Sequence, residues 1–154
     1  MSFAAYQVNW SWDRHTDKWL KKMCIGKTLN FPCGMSRIGD VRADMDERVN
    51  PDVFADLNKP FETFKRGEFD TVICDPPFEM FIKRKWIPPI SDLARKRLIL
   101  STPNYRILLK KAIWNKQYYI TEQSSTFFIR HWQIFDRKIQ QLPVIEEENE
   151  RARA

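Results

Sequence analysis

The sequence predicts a doubly wound α/β fold, in which a mostly parallel sheet ends in a C-terminal antiparallel hairpin. Three observations predict it. Short apolar runs typical of buried strands alternate with connecting segments over the first two thirds of the chain. Most of these runs end in turn-forming or acidic residues. Two β-rich runs follow, and the Gln123-Ser124-Ser125 segment between them indicates a hairpin.

The individual strands are predicted from apolar runs and their stops. Five strands are expected before the hairpin, at residues 28–31, 41–45, 52–56, 69–74 and 97–100. The clearest is 69–74, because Pro76 and Pro77 cannot continue a ladder of hydrogen bonds. The hairpin strands are expected at 117–122 and 126–135. In such a sheet, ligands bind beyond the carboxyl ends of the strands, so these ends are the predicted site.

Helices are expected in three places. Residues 13–23 have apolar positions spaced for one helical face, and Gly26 stops the pattern. Residues 91–96 follow Ser91 as a possible N-cap, and residues 105–115 form another amphipathic stretch. The nine residues from Met35 to Ala43 leave too little room for a first crossover helix, since a parallel crossover normally takes a dozen residues or more.

Length and composition predict one domain, residues 1–143, followed by an acidic tail, 144–154, that is frayed or disordered. No apolar stretch is long enough to span a bilayer, and the first residues do not resemble a signal peptide. We therefore expect a cytoplasmic protein. Its three cysteines match no metal or redox spacing, and His15 and His131 have no nearby partner, so no metal site is expected.

The net charge of +6 predicts a phosphate-rich partner. Because the acidic residues near the carboxyl end contribute negative charge, the body that precedes them is more basic than the whole chain. The run Lys83-Arg84-Lys85-Trp86 is the candidate nucleic-acid contact, in which the cations meet phosphates and Trp86 stacks on a base. A solvated loop with one packed tryptophan is the alternative. Trp10 and Trp12 could close over a ligand, although core packing is the expected role.

The most specific motif is Asp75-Pro76-Pro77-Phe78, directly after the clearest strand. Two prolines rigidify the backbone and leave carbonyl groups outside any ladder. An aspartate and such a carbonyl can both accept hydrogen bonds from one planar amino group, while an aromatic ring stacks on its heterocycle. This arrangement positions an amino nitrogen for attack on an electrophile.

The motif resembles the Asp/Asn-Pro-Pro-Tyr/Phe motif of class I, Rossmann-like methyltransferases that use S-adenosylmethionine and methylate amino groups of adenine, cytosine or protein glutamine. The run from Leu29 to Gly34 resembles the first cofactor motif of these families. The resemblance implies that S-adenosylmethionine is the cofactor. It also implies that the cofactor is bound by seven residues near the strand ends: Asn30, Pro32, Cys33, Gly34, Asp44, Asp46 and Asp56. Among them, Asp44 would bind the ribose hydroxyls, with Asp46 as the fallback, and Asp56 would face the adenine amino group.

The run from Cys33 to Arg42, without a crossover helix, resembles a compact variant found in small methyltransferases of archaea and archaeal viruses. In this variant Gly39 would share the role of the usual glycine-rich loop. If the protein is viral, the expected location becomes the host cytoplasm.

These observations predict an N-methyltransferase that acts on a nucleic-acid base, with DNA favoured over RNA. A base in a duplex would have to be flipped out of the stack. The chain leaves no room for a separate recognition domain, so sequence specificity would need a homodimer, another partner or a loop within residues 79–89. The alternatives are a protein or small-molecule N-methyltransferase, and a non-catalytic nucleic-acid-binding module on the same fold.

Overall fold

The computed structural model describes residues 12–102, 109–110, 113–123 and 129–138. These residues form a seven-stranded sheet with the order β3-β2-β1-β4-β5-β7-β6. Its strands are β1 (Thr28–Asn30), β2 (Val41–Asp44), β3 (Val53–Phe54), β4 (Phe69–Cys74), β5 (Ala94–Thr102), β6 (Trp114–Gln123) and β7 (Ile129–Arg137). The regular helices of the described residues are α1 (Arg14–Met23) and α2 (Ile87–Leu93).

The first five strands run parallel, and the last two form an antiparallel pair. The two central parallel strands, β1 and β4, pair over three residues each, with Leu29 opposite Val72. β7 runs antiparallel to both β5 and β6. This topology confirms the predicted fold class, a Rossmann-like mixed sheet with a C-terminal antiparallel pair.

The two faces of the sheet carry separate apolar clusters. Successive residues of a strand point to opposite faces, so Val72 belongs to one cluster and Ile73 to the other. The larger cluster packs under α2 and contains the aromatic residues Phe31, Phe64, Phe69, Phe81, Trp86, Trp114 and Phe135. The smaller cluster packs under α1, where Leu20 is fully buried against Ile73, Ile99 and Trp132.

The helix α1 begins where the sequence predicts. The Asp13 carboxylate accepts a hydrogen bond from the Thr16 amide at 2.8 Å, so it satisfies one of the free N–H groups of the first turn. At the other end, the amide of Cys24 donates to the Leu20 carbonyl at 3.1 Å. The two lysines of the last turn, Lys21 and Lys22, lie at the negative end of the helix dipole.

The connection between β1 and β2, which is the first crossover, contains no helix, as its short length predicts. Residues 31–40, all of which the structure describes, form a loop whose polar groups are satisfied by neighbouring side chains. Asp40 accepts from the Thr28 amide at 2.7 Å, and the Ser36 hydroxyl accepts from the Ile38 amide at 3.2 Å. Ile38 is buried in the α1 cluster, so one side chain supplies part of the apolar cover that a helix would give.

Two helix predictions need correction. The predicted helix at 91–96 is instead α2, which ends at Leu93, and Ser91 lies inside it and donates to the Pro88 carbonyl at 2.7 Å. Residues 94–96 belong to β5. The predicted helix at 105–115 is wrong at its end, because Trp114 and Asn115 pair with β7; residues 105–108 and 111–112 lie outside the described residues.

Further predictions fall on positions that the structure does not describe. The turn at Ser124 and Ser125, the tail 144–154 and Trp10 lie outside the described residues, although the two strands flanking the turn are paired as expected. Within the described part of the chain, no helix is long and apolar enough to cross a membrane. Cys24, Cys33 and Cys74 are free thiols, and the last two are buried.

Candidate active site

The site lies where the order of the strands reverses. β1 and β4 are neighbours, and the strands that follow each of them in sequence lie on opposite sides of this pair. In open α/β sheets, the crevice at such a switch point is the ligand site. The Phe31 amide donates to the Ile73 carbonyl at 2.9 Å, so the segment that follows β1 stays beside β4 up to the Asp75 motif.

The loop after β1 is tied to the end of β2 through Asp44. One carboxylate oxygen of Asp44 accepts from the Gly34 amide and the other from the Asp46 amide, both at 3.0 Å. The carboxylate is buried, with 8% of the residue exposed. Gly34 has a φ of 50°, in the left-handed region that favours glycine. Because a carboxylate offers about four lone-pair positions, Asp44 retains the capacity to accept further hydrogen bonds.

Gly39 and Asn30 form the floor of the same loop. Gly39 has a φ of 108°, and a Cβ atom there would lie 3.2 Å from the Val41 carbonyl oxygen and 3.3 Å from the Asn30 Cβ. The Asn30 amide nitrogen donates to the Ile38 carbonyl at 3.1 Å. Asn30 Oδ1 is buried and has no hydrogen-bond partner among the residues that the structure describes. A buried acceptor of this kind fits the amino group of a ligand.

Asp46 and Asp56, the other two acids predicted to bind the cofactor, have surroundings that differ from those of Asp44. Both oxygens of Asp46 contact the Arg48 guanidinium, at 2.8 and 2.6 Å, and this hydrogen bonding lowers the pKa of the Asp46 carboxyl. Asp46 is therefore engaged at the surface, which favours Asp44 as the acceptor facing a ligand. Asp56 is half-buried after β3 and accepts from the Asn58 amide at 2.9 Å.

The remaining predicted residues of the loop after β1 are uncharged, and they shape the loop by packing within it. Pro32 is half-buried, and Cys33 is buried with its amide donating to the Ala43 carbonyl at 2.9 Å. Burial, followed by the charge of Asp44, raises the pKa of the Cys33 thiol to about 11. The thiol is therefore neutral at physiological pH, so it acts as a small apolar group and not as a nucleophile.

Asp75 follows β4 and is held by a residue far away in sequence. The indole N–H of Trp12 donates to Asp75 Oδ2 at 2.6 Å, across 63 positions of the chain. Trp12 is buried, with its ring edge-on to Trp132 at a centroid distance of 5.4 Å. This confirms core packing for Trp12, but the contact with Asp75 had no signal in the sequence.

The prolines of the motif fix its backbone. Pro76 is buried and Pro77 half-buried, and the Pro77 carbonyl accepts from the Met80 amide at 3.0 Å as a short 3-10 segment, Phe78–Ile82, begins. The side chain of Phe78 lies outside what the structure describes, so its predicted stacking role stays a prediction.

Three adjacent cations that follow this motif in sequence, Lys83, Arg84 and Lys85, are exposed. We call them the basic turn. The prediction that Trp86 stacks on a base is wrong: Trp86 is 2% exposed, its indole N–H donates to the Met80 carbonyl at 2.8 Å, and its ring packs edge-on against Phe81. The tryptophan anchors the basic turn from below. The apolar Ile82 beside it is 82% exposed.

Arg42 is a structural residue of the site that the sequence did not indicate as such. It is buried in β2, and its guanidinium donates to the Ser36 carbonyl at 3.4 Å and to the Asn50 carbonyl. It therefore joins the loop after β1 to the loop after β2. A single arginine within a short apolar strand was the one available signal.

A separate open cleft of about 560 Å³ lies between the β3–β4 connection and α2, with Pro60, Phe61 and Pro88 in its walls. None of the predicted site residues lines it. The switch-point crevice therefore remains the candidate site, because the buried acceptors and the motif residues lie at its edges.

The order of the strands and the position of the polar residues agree with each other. The parallel strands have the Rossmann order, the antiparallel pair closes one edge, and the polar residues lie at the carboxyl ends of β1, β2 and β4. This is a Rossmann-like fold.

Solved structures with this fold support that assignment. A magnesium protoporphyrin IX methyltransferase from Synechocystis, determined with bound S-adenosylmethionine, superposes with a TM-score of 0.55 and 18% identity over 80% of this chain and 79% of that chain. A candidate methyltransferase from Escherichia coli gives 0.55 and 16%, covering 82% and 83%. A candidate methylase from Haemophilus influenzae gives 0.53 and 15%, covering 80% and 88%. No protein-family model and no curated protein sequence matches this chain.

Proposed function

We propose that this protein is an S-adenosylmethionine-dependent N-methyltransferase, and that its acceptor is the exocyclic amino group of adenine or cytosine in a nucleic acid, DNA in preference to RNA. The observation that carries the proposal is the position of Asp75. Its carboxylate follows β4 at the switch point, and the glycine-containing loop after β1 follows the neighbouring strand.

The loop residues fit the cofactor. Asn30 Oδ1 is a buried acceptor without a partner among the described residues, which suits the amino group of the methionine part. The left-handed conformation of Gly34, which carries no side chain, allows a ligand to approach the backbone closely. The remaining lone pairs of Asp44 suit the ribose hydroxyls, and Asp56 suits the adenine amino group. When bound, S-adenosylmethionine supplies an electrophilic methyl group.

We assign the binding of the methyl-accepting amino group to the Asp75-Pro76-Pro77-Phe78 motif. The Asp75 carboxylate and the Pro76 carbonyl would accept hydrogen bonds from the amino group and so orient its nitrogen toward the methyl donor. This role is positioning, since both groups act as acceptors and no strong base is required. Phe78 would stack on the heterocycle that carries the amino group.

The basic turn supports a nucleic-acid acceptor. Lys83, Arg84 and Lys85 are exposed within ten residues of Asp75, and their backbone is anchored by the buried Trp86. Three adjacent cations that follow the proposed acceptor-binding motif closely in sequence suit the phosphates that flank a target base. A homodimer would supply the additional contacts that sequence recognition needs.

The proposal is tested by incubating the protein with labelled S-adenosylmethionine and separate pools of DNA, RNA and protein. We expect label in nucleic acid. Asp75→Ala should reduce transfer about 100-fold or more, because the amino group loses its orientation, while cofactor affinity changes only a few-fold. Asp17→Ala, which removes a partly exposed carboxylate on α1, is the control.

Melting temperatures are measured on the same samples, since Asp75→Ala also removes the acceptor of the Trp12 N–H. Full methyl transfer by a folded Asp75→Ala protein would contradict the role of this residue. Label only in the protein pool would replace nucleic acid with a protein acceptor, and cofactor binding without any transfer would favour a non-catalytic binding module.

A further inference from the structure

We infer that Ser101 binds the acceptor: its hydroxyl donates a hydrogen bond to the ring nitrogen next to the amino group that is methylated. This inference rests on the proposed function and adds to it a residue near the end of β5 that no motif indicated. The observation that carries it is a buried hydroxyl without a hydrogen-bond partner among the described residues, at the edge of the sheet where the acceptor motif begins.

The Ser101 hydroxyl is buried and unsatisfied. Ser101 is 1% exposed, and among the side chains that the structure describes, only its Oγ and Asn30 Oδ1 are fully buried polar atoms without a partner. The neighbouring polar pair is satisfied, since the Gln133 amide donates to the Thr102 hydroxyl at 2.8 Å. Because nearly all buried polar groups in folded proteins are hydrogen-bonded, an unpaired hydroxyl at a strand end indicates a partner that arrives with a ligand.

The register of the sheet brings Ser101 beside the acceptor motif. Cys74 of β4 pairs with Leu100 of the parallel strand β5. The next residue along each strand is Asp75 on one side and Ser101 on the other, and neighbouring strands lie about 5 Å apart. The hydroxyl therefore belongs to a residue directly alongside the first residue of the motif.

Ser101 and the Asp75 carboxylate also lie on the same face of the sheet. Ser101 is opposite Trp132 in the antiparallel pair of β5 and β7, and directly opposite residues point to one face. Trp132 belongs to the cluster that α1 covers, and Trp12 packs against it at 5.4 Å between ring centroids. The N–H of this same Trp12 donates to Asp75.

The chemistry of a hydroxyl fits a feature that adenine and cytosine share. In both bases, the ring carbon that carries the amino group is also bonded to an unprotonated ring nitrogen, N1 of adenine or N3 of cytosine. The amino group donates hydrogen bonds, whereas this nitrogen accepts them. A carboxylate and a backbone carbonyl only accept, so the motif can bind the amino group but not the ring nitrogen. A serine hydroxyl supplies the donor that the motif lacks.

The competing interpretation is that Ser101 only fills the core and that its hydroxyl binds a buried water. Ser101→Ala removes the hydroxyl, and Ser101→Cys keeps a side chain of similar shape with a much weaker donor. Ser91→Ala is the matched control, because Ser91 is also buried but its hydroxyl already donates to the Pro88 carbonyl at 2.7 Å.

The experiment measures kcat/KM for methyl transfer to random-sequence oligonucleotides, in the strand form that the wild type methylates. One set is natural, and in the other the methylated base is replaced by 1-deazaadenine or 3-deazacytosine, in which carbon replaces the ring nitrogen. We expect the deaza base to lower kcat/KM of the wild type roughly 10- to 100-fold, and both Ser101 variants to lose as much on the natural base. On the deaza base, Ser101→Ala should lie within about twofold of the wild type, since the contact is already absent. Ser91→Ala should match the wild type on both sets.

Thermal melting gives a readout that is independent of turnover. Ser101→Ala should melt at the temperature of the wild type or above it, because an unpaired buried hydroxyl costs stability. A lower melting temperature with unchanged kinetics would make Ser101 a structural residue and overturn the inference. Full losses from the variant and from the deaza base that simply multiply would also overturn it, because two groups in contact do not act independently. No transfer to nucleic acid by the wild type would overturn the proposed function, and this inference with it.

Discussion

At the scale of residues, three aspartates at strand ends show that surroundings decide what a carboxylate does. Asp44 accepts from two backbone amides and joins two loops of the site. Asp75 accepts from the uncharged indole N–H of Trp12 at the end of β4. Asp70 lies at the start of β4, at the opposite end of the sheet, where Arg95 and Lys96 surround it at 2.6 and 3.2 Å. The first two suit ligands, and the third stabilises the fold.

Asp70 gives a prediction about stability and pH. Hydrogen bonding to Arg95, and then to the Lys27 amide, lowers the pKa of its carboxyl to about 2. A carboxyl whose pKa is lower in the folded state contributes stability above its unfolded pKa of about 3.9 and loses it as pH falls toward the folded value. Asp70→Asn should therefore melt below the wild type at neutral pH, and the gap should close between about pH 4 and pH 2.

Thermal melts at a series of pH values, followed by circular dichroism, measure this gap. Asp17→Asn is the matched control, because it removes one partner of an exposed i,i+4 pair with Lys21 at 2.9 Å, which contributes only about 0.3–0.5 kcal/mol. A gap for Asp70→Asn that stayed constant through the acid range would show that the carboxylate charge does not contribute.

At the scale of elements, the strands were predictable and the helices less so. β4 has the predicted bounds because four of its six residues are apolar and prolines stop it. α2 was misplaced because Ser91 resembles an N-cap, whereas the helix begins at Ile87 and places Pro88 in its first turn, where a missing N–H costs nothing. Trp114 joins β6 because it pairs with Arg137, a contact between distant residues that a local pattern does not contain.

The residues of the site divide in the same way, into those that the sequence predicted and those that it did not. The strand-end positions of Gly34, Asp44 and Asp75 followed from local sequence and the topology of a parallel sheet. The Trp12–Asp75 hydrogen bond joins residues 63 positions apart and depends on how α1 packs, so no local spacing could predict it. Trp86 was misassigned because a tryptophan next to three cations fits both a stacking platform and a buried anchor, and only burial separates them.

The basic turn leads to a prediction about nucleic-acid binding. Reversing Lys83, Arg84 and Lys85 to glutamate should weaken nucleic-acid binding and reduce its salt dependence, since fewer counterions are released from the phosphates. Reversing the exposed residues Lys18, Lys22 and Lys65 changes the net charge equally at other places and is the control. Filter binding over a range of salt concentrations measures both.

Comparing the two triple variants separates the effect of where the charges lie from the effect of the total charge. Equal losses in the two triple variants would mean that net charge alone attracts the nucleic acid. Binding by the wild type that does not depend on salt would instead favour a protein or small-molecule acceptor.

At the scale of the whole molecule, the fold keeps a complete Rossmann-like sheet while its described part carries few helices. Loops tied by Asp44, Arg42 and Asn30 replace the first crossover helix and hold the carboxyl ends of β1 and β2 together. The chain has a net charge of +6, which suits an anionic acceptor. The central claim is that the loop built by these residues binds S-adenosylmethionine.

Isothermal titration of S-adenosylmethionine tests this claim most directly. We expect the wild type to bind, Asp44→Ala to bind more weakly by about 1–3 kcal/mol because buried donors lose their acceptor, and Asp46→Ala to stay within a few-fold because its carboxylate is engaged with Arg48. Failure of the intact protein to bind either S-adenosylmethionine or its demethylated product would contradict the account.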